Sequence, residues 1–183
     1  MEKIVVKFGG TSLATAAQFQ KVKGIILRHR QSCYVVASAP GKRSADDTKV
    51  TDLLYRAFDE AAGGCDFSPT LDEIRSRFDE IIRGLNLEFA LDDEIALIQR
   101  HLQSAPQRDF MASRGEYLNS KILAAFLGFP FIDPADAIRF NAQRRLDAEP
   151  TNEALRAALE PLRFAVVPGF YGSDPDGSIR TFS

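Results

Sequence analysis

An apolar strand pattern that runs straight into a double glycine is the feature of this sequence that most constrains its fold. Ile4, Val5 and Val6 are apolar and β-branched, which is typical of a buried strand. Gly9 and Gly10 follow closely, and glycine lets the backbone turn without a Cβ in the way. This segment therefore predicts a strand, a tight turn and the start of a helix in close succession.

The residues around the two glycines are those of a phosphate-binding turn. Thr11 and Ser12 are predicted to cap a helix whose pattern starts at Leu13. Bare N–H groups at a strand-to-helix turn attract anions, and Lys7 adds a positive charge at the end of the strand. An ordinary turn with a surface lysine fits the same residues, so the local sequence leaves both interpretations open.

A second glycine-containing loop, Ser38–Ser44, resembles the end of a P-loop. The first glycine of that motif would fall at Val36, so the loop is not a Walker A motif.

Composition narrows the class of protein. The chain has 183 residues, of which 45% are hydrophobic and 26% charged, as expected for a globular domain with a substantial core. The formal net charge is −2 with both signs interspersed, which predicts no nucleic-acid partner. The sequence has no long apolar run and no signal-peptide pattern, so we expect no membrane partner and a cytoplasmic location.

The histidines, cysteines and arginines give further expectations. His29 and His101 have no ligand spacing, which disfavours a metal site and a histidine-based nucleophile. Cys33 and Cys65 are expected to be free thiols. Arginines that lie among acids are predicted to mark solvated helix faces: Arg75, Arg77, Arg83, Arg144 and Arg145.

Alternating strand and helix patterns predict an α/β fold. A helical pattern over 13–30 joins the first strand to a second at Cys33–Ala37, which predicts a parallel βαβ unit. Further helices are predicted at Val50 to about Ala62, 70–83, 91–103, Gln107–Leu127 and Thr151–Leu162; strands at Phe129–Ile132 and Phe164–Val167; and short antiparallel strands around Ser173–Gly177. Gly128 is a predicted C-cap. The predicted architecture is a parallel-rich open sheet between helices, with ligands at the carboxyl ends of the strands.

Four separated blocks carry a resemblance to a known family: Val6–Ser12, Val35–Gly41, Lys49–Leu54 and Ser113–Glu116. In this order they resemble the aspartate kinases of the amino acid kinase superfamily, and the similarity extends through Gly169-Phe170 to Thr181-Phe182-Ser183. The resemblance implies a carbamate kinase-like fold. It also implies transfer of the ATP γ-phosphoryl group, with Mg²⁺ as the ATP partner, to the side chain of L-aspartate. The product would be 4-phospho-L-aspartate, at the start of lysine, threonine and methionine biosynthesis.

The resemblance also assigns roles to individual residues. Lys7 would be catalytic; Gly9, Gly10, Thr11 and Ser12 would bind phosphate with it; Ser38, Thr51, Glu116 and Phe170 would bind the substrate. Glu116 suits an α-ammonium group, since a carboxylate accepts a charge-assisted hydrogen bond from it. Taken singly, Glu116 could instead be a helix acid favoured by the macrodipole, Thr51 a cap and Phe170 a core residue.

In the family, the Thr-Phe-Ser step continues into an Arg-Gly-Gly-Ser-Asp segment, a nucleotide-binding half and ACT regulatory domains. We therefore expect residues 1–183 to be the N-terminal, amino-acid-binding part of a catalytic domain, with a helical insertion at about 65–105. We expect negligible activity from this part alone. Its uncovered apolar surface predicts either self-association, as a homo-oligomer, or marginal stability. Two alternatives stay open: a non-catalytic fragment that binds aspartate or an anion, and an acyl-phosphate kinase for N-acetylglutamate, glutamate or carbamate. The helical insertion and the Ser113–Glu116 block favour aspartate.

Overall fold

Three parallel strands form the centre of the structure, a computed structural model that describes residues 3–28 and 32–182. They are β1 (Lys3–Phe8), β2 (Ser32–Ala37) and β3 (Phe164–Pro168), in the order β1–β2–β3. Because the strands are parallel, their carboxyl ends meet at one edge of the sheet. The predicted α/β architecture with a parallel sheet is confirmed.

Helices connect and cover these strands. They are α1 (Ala16–Ile26), α2 (Val50–Ala62), α3 (Ser68–Gly84), α4 (Asp92–Ser104), α5 (Arg108–Leu127), α6 (Pro134–Ala137) and α7 (Ala148–Leu159). The predicted bounds of α2 and α5 are confirmed to within one residue, and Gly128 ends α5 in the left-handed conformation with φ of 70°. The last two residues of the helix predicted over 13–30, which include His29, lie outside the described residues, and so does Ser183.

The helix after the glycine turn begins later than the sequence predicts. A short 3₁₀ helix, Gly10–Leu13, comes first, and Gly9 caps it without a side-chain hydrogen bond. Thr15 is the cap of α1, where its Oγ1 accepts a hydrogen bond from the Gln18 N–H at 3.4 Å. The predicted capping by Thr11 and Ser12 is therefore wrong, because the chain turns inward to bury Leu13 before the long helix starts.

Strand β1 lies at the edge of the sheet and has one open face. Val5 is 66% exposed, whereas Ile4 and Val6 are half-buried. The prediction of a buried strand is wrong here, since β1 pairs with β2 alone among the described strands.

The strand predicted at Phe129–Ile132 is reduced to a single bridge between Phe131 and Val166. The Ile132 N–H donates to the Val166 carbonyl at 3.0 Å, but α6 begins almost at once, with Asp133 as its cap. The start of this helix leaves no room for a longer ladder, which explains why the strand prediction is wrong.

The core lies between the sheet and the helices α1, α2, α3 and α5. Its fully buried members include Leu13, Phe19, Val35, Leu54, Phe78, Ile122 and Val166. None of the described helices is long and apolar enough to cross a membrane.

A hairpin closes the described part of the chain, as predicted. It consists of β4 (Tyr171–Ser173) and β5 (Ile179–Thr181), which pair in an antiparallel manner. Arg180 in β5 donates from Nη1 to Asp109 at the start of α5, at 2.7 Å. This ion pair fixes the hairpin against α5.

Candidate functional site

A cavity of about 390 Å³ lies at the carboxyl edge of the sheet. It is lined by the glycine turn, the loop after β2, the start of α2 and the first half of α5. The lining residues are Gly10, Thr11, Ser38, Ala39, Pro40, Gly41, Lys42, Lys49, Thr51 and Glu116. Several residues predicted from widely separated blocks therefore line one cavity: Gly10, Thr11, Ser38, Thr51 and Glu116. A larger cavity of about 480 Å³ between α3 and α4 contains none of the predicted site residues.

The glycine turn and the loop after β2 are in direct backbone contact. The Gly41 N–H donates to the Gly10 carbonyl at 2.9 Å. A Cβ at Gly10 would lie 2.8 Å from the Ala39 carbonyl oxygen, and one at Gly41 would lie 2.8 Å from the Thr11 nitrogen. Both positions exclude any larger residue because two backbones approach each other there.

Helix α5 supports the same loop from the other side. The Asn119 Nδ2 donates to the Ser38 carbonyl at 2.7 Å. Gly115 lets the helix come close, since a Cβ there would lie 2.6 Å from the Ala39 Cβ. The loop is thus fixed between the glycine turn and α5, and Ser38 lines the same cavity as Glu116.

Glu116 is a buried carboxylate at the wall of the cavity. It is 8% exposed, and its Oε2 has no hydrogen-bond partner among the described residues. Burial raises the pKa of Glu116, opposed by the Ala39 N–H and by the positive charge of Lys7. A carboxylate in this state favours a cationic donor from a ligand.

Lys7 lies at the rim of the site. Its Nζ donates to the Ser38 Oγ at 3.5 Å, a long hydrogen bond. The lysine charge is close enough to lower the pKa of Glu116. Lys7, Ser38 and Glu116 therefore form one group, although Lys7 does not line the cavity itself.

The cavity is also lined by two lysines to which the sequence analysis gave no role, Lys42 and Lys49. The available signal was their position, since Lys42 directly follows the block Val35–Gly41 and Lys49 is the first residue of the block Lys49–Leu54. Glu116 is the one acidic side chain among the described residues that line the cavity, so the positive charges outnumber it. This balance suits a ligand that carries phosphate and carboxylate groups.

Four predicted site residues do not line this cavity: Lys7, which lies at its rim, and Gly9, Ser12 and Phe170. Gly9 and Ser12 belong to the glycine turn but do not line the cavity. The Ser12 N–H donates to the Gly9 carbonyl at 3.0 Å. Phe170 is 39% exposed and has a φ of 81°, an uncommon conformation for a residue with a side chain. It follows Gly169, whose N–H donates to the Ala37 carbonyl at 3.1 Å, so it shares the edge of the sheet with Ser38. The roles of all the predicted site residues, inside and outside the cavity, stay predictions.

The described residues are better suited to bind phosphate than to bind a metal ion. The lysines and the glycine turn fit phosphate oxygens. For Mg²⁺, residues 3–28 and 32–182 contain no group of three or more His, Cys, Asp or Glu side chains that could hold a metal ion. No step is therefore assigned to Mg²⁺.

With this geometry established, comparison with known proteins identifies the family. A model of the amino acid kinase family matches residues 2–182. The chain belongs to this family. Family membership, which the ordered blocks predicted, is confirmed.

Similar members of the family are aspartate kinases. Aspartokinase 3 of Bacillus subtilis (strain 168) is 33% identical over 98% of this chain. The crystal structure of Clostridium acetobutylicum aspartate kinase superposes with a TM-score of 0.97 and 39% identity over 100% of this chain. E. coli aspartokinase III, in complex with aspartate and ADP, shares the fold with a TM-score of 0.77 and 23% identity over 98% of this chain.

These relatives are much longer than the chain. It spans 42% of the Bacillus subtilis protein, 42% of the Clostridium acetobutylicum chain and 43% of the E. coli chain.

Proposed function

We propose that the chain carries the amino-acid- and phosphate-binding residues of an aspartate kinase. The reaction is transfer of the ATP γ-phosphoryl group to the side-chain carboxylate of L-aspartate, at the start of lysine, threonine and methionine biosynthesis. The observation that carries this proposal is the gathering of Ser38, Thr51 and Glu116 around one cavity, with Lys7 at its rim. Similarity to aspartate kinases over almost the whole chain supports it.

The substrate would bind through its α-ammonium group at Glu116. The Oε2 of this residue has no hydrogen-bond partner among the described residues, and an ammonium group would supply a charge-assisted hydrogen bond and compensate the buried negative charge. Ser38 and Thr51 would contribute hydroxyl groups to the carboxylates. A cavity of about 390 Å³ is of the size that binds small molecules.

The phosphate groups would bind between Lys7 and the glycine turn. ATP supplies the phosphoryl group, and the aspartate carboxylate is ionised at neutral pH, so no residue needs to remove a proton from it. The protein then has to align the two substrates and stabilise the charge that develops between them. Lys7 would do so from the rim, with Lys42 and Lys49 attracting the polyanion.

The binding part of the proposal is tested by NMR titration of the 183-residue chain with L-aspartate, L-glutamate and N-acetyl-L-glutamate. We expect the amide signals of Ser38, Thr51 and Glu116 to shift with L-aspartate. N-acetyl-L-glutamate has no ammonium group and should cause no such shift. Glu116→Gln should abolish the response, while Asp93→Asn, an exposed acid on α4, should leave it unchanged.

Shifts that persist in Glu116→Gln would contradict the role of Glu116. A response to N-acetyl-L-glutamate that exceeds the response to L-aspartate would favour another acyl-phosphate kinase of the family.

The catalytic part is tested by a coupled assay with ATP and L-aspartate. We expect negligible turnover from the 183-residue chain alone. Among the described residues, Lys7 and the glycine turn are the only close stabilisers of the transition state that we assign, and these are too few for efficient phosphoryl transfer. Each further stabiliser of this kind contributes about 3 kcal/mol to the transition state. Turnover at the rate of a whole enzyme would contradict this expectation. Binding of L-aspartate without any turnover is also predicted by the alternative of a non-catalytic fragment that binds aspartate or an anion.

A further inference from the structure

Arg77 of α3 is a buried cation that contacts the loop forming one wall of the cavity. It is 3% exposed, so its predicted place on a solvated helix face is wrong. Its Nη1 donates to the Thr48 carbonyl at 2.7 Å, and its Nη2 donates to the Gly41 carbonyl at 2.9 Å. The same guanidinium lies 3.1 Å from an oxygen of Asp47.

A second contact joins the same helix to the same loop. Arg43 forms an ion pair with Asp47 at 2.9 Å and another with Glu80 of α3 at 2.5 Å. The hydrogen bonds from Arg43, with the positive charge of Arg77, hold the pKa of Asp47 well below its usual range. Helix α3 thus reaches the loop through Arg77 and through Glu80, one turn further along.

Gly41 connects this network to the site. Its carbonyl accepts from Arg77, and its N–H donates to the Gly10 carbonyl in the glycine turn. Thr48, the other carbonyl partner of Arg77, directly precedes Lys49, and Thr51 lies in the first turn of α2. The two carbonyls held by Arg77 therefore bracket the segment that carries Lys42 and leads into Lys49.

We propose that Arg77 is a positioning residue for the candidate site. It contributes no atom to the cavity lining, but it fixes the 41–48 segment so that Lys42, Lys49 and Thr51 face the cavity. What the cavity binds rests on the proposed function; the positioning itself does not.

An arginine suits this role better than a lysine. A planar guanidinium reaches two carbonyls and a carboxylate at once, whereas an ammonium group is a compact point charge with less fixed geometry. The Arg77 Nε is buried and has no partner among the described residues, so burial of the cation is incompletely compensated. Removing it should loosen the loop more than it destabilises the whole protein, since Asp47 keeps its ion pair with Arg43.

Amide hydrogen exchange of the 183-residue chain, followed by NMR, tests this role without any ligand. The reporters are the amides of Gly41 and Val50, which donate to Gly10 and Pro40, and the amide of Arg43, which donates to Asp47. In Arg77→Met we expect these amides to exchange about tenfold faster or more, the effect of losing charge-assisted hydrogen bonds. The core amides of β2 should be unchanged, and Arg77→Lys should restore part of the protection.

Arg83→Met is the matched control, since Arg83 is exposed on the same helix and bonds only to the Asp79 carbonyl among the described residues. It should leave the exchange of the loop amides unchanged. Unaltered loop exchange in Arg77→Met would overturn the proposal. Equal acceleration in β2 would also overturn it, because it would indicate a general loss of stability. If Arg77→Met does not fold, Arg77→Lys, which keeps the charge, replaces it. Faster exchange of the loop amides in Arg77→Lys than in the wild type then supports the proposal, and unaltered exchange overturns it.

Titration with L-aspartate then separates this inference from the proposed function. We expect the affinity of Arg77→Met to fall about tenfold or more and that of Arg83→Met to stay unchanged. Equal affinity in wild type and Arg77→Met would overturn the positioning role while the function stands. If the wild type binds no L-aspartate, the proposed function fails and the exchange result alone decides the role of Arg77.

Discussion

At the scale of single residues, Glu116 shows how the site departs from a structure selected for stability alone. The carboxylate of Glu116 is buried, and one oxygen has no hydrogen-bond partner in the part of the chain that the structure describes, which destabilises the folded state when the group is ionised. The pKa of Glu116 is raised by this burial above its usual value of 4.5. The residue therefore weakens the ligand-free protein at neutral pH and suits a cationic ligand group.

This leads to a pH-dependent prediction for Glu116→Gln. Burial raises the pKa of Glu116 in the folded state above its ordinary value of 4.5. The contribution of this group to the stability of the wild type is therefore full below pH 4.5 and is lost as the pH rises from 4.5 through the higher pKa of the folded state. Glutamine does not ionise, so the variant should melt about 2 °C or more above the wild type at neutral pH, as removal of one uncompensated buried charge would give. Thermal melting monitored by circular dichroism between pH 4 and 8 measures this difference. A variant that melts below the wild type at neutral pH, or a difference independent of pH, would show that Glu116 is compensated by contacts within the protein.

Part of the site could be predicted from the sequence and part could not, for a physical reason. Ser38, Thr51 and Glu116 belong to blocks whose order is itself informative. Lys49 is the first residue of such a block, but nothing in the local sequence shows which way its side chain faces. The burial of Arg77 depends on carbonyls far away in the sequence, so a helix pattern with acids around it predicted the wrong environment.

At the scale of secondary-structure elements, α5 is the support of the site. Its buried face presents Gly115, Glu116 and Asn119 to the loop after β2, within little more than one helical turn. The ends of α2 and α5 could be predicted because local signals, Gly63-Gly64 and Gly128, stop both helices. The 3₁₀ helix at Gly10–Leu13 could not, since it is imposed by the burial of Leu13 and not by local preference.

The close packing of α5 on this loop predicts opposite effects for two glycine-to-alanine changes in helices. In Gly115→Ala the new Cβ would lie 2.6 Å from the Ala39 Cβ and 3.3 Å from Leu54. We expect it to destabilise the protein by about 1–3 kcal/mol through overpacking. In Gly24→Ala, within α1, the Cβ meets nothing within 4 Å, so it should stabilise by about 0.5–1 kcal/mol through helix propensity.

Urea denaturation followed by circular dichroism measures both changes. If Gly115→Ala proved as stable as Gly24→Ala, the helix and the loop would have to separate without cost, and the support that α5 gives to Ser38 would be weaker than the contacts indicate.

At the scale of the whole molecule, the open face of β1 is the surface most prone to association. Val5 is 66% exposed, the largest exposed fraction among the large hydrophobic side chains of the described residues. An edge strand with exposed apolar side chains is a template for pairing with another chain. The homo-oligomer expected from the sequence stays a prediction, and this face is where we expect the contact.

Light scattering coupled to size-exclusion chromatography tests that contact. We expect the average mass of the 183-residue chain to rise with concentration. Val5→Lys should lower it towards the monomer, because a charge on an edge strand opposes pairing. Leu97→Lys is the control, an exposed apolar residue on α4 that is 37% exposed, and should change nothing. A wild type that remains monomeric at all concentrations would contradict the prediction.

The pairing of β2 with β3 leads us to expect a late step in the folding of this molecule. Cys33 pairs with Phe164, so the ladder joins segments separated by most of the chain, while α2 to α5 form from contacts closer in sequence. During synthesis, one edge of β2 remains without its partner until β3 has left the ribosome, and closing so long a loop is slow. We therefore expect the helices to form early and the sheet to close late. The timing of maturation then depends on a strand that contributes no residue to the cavity.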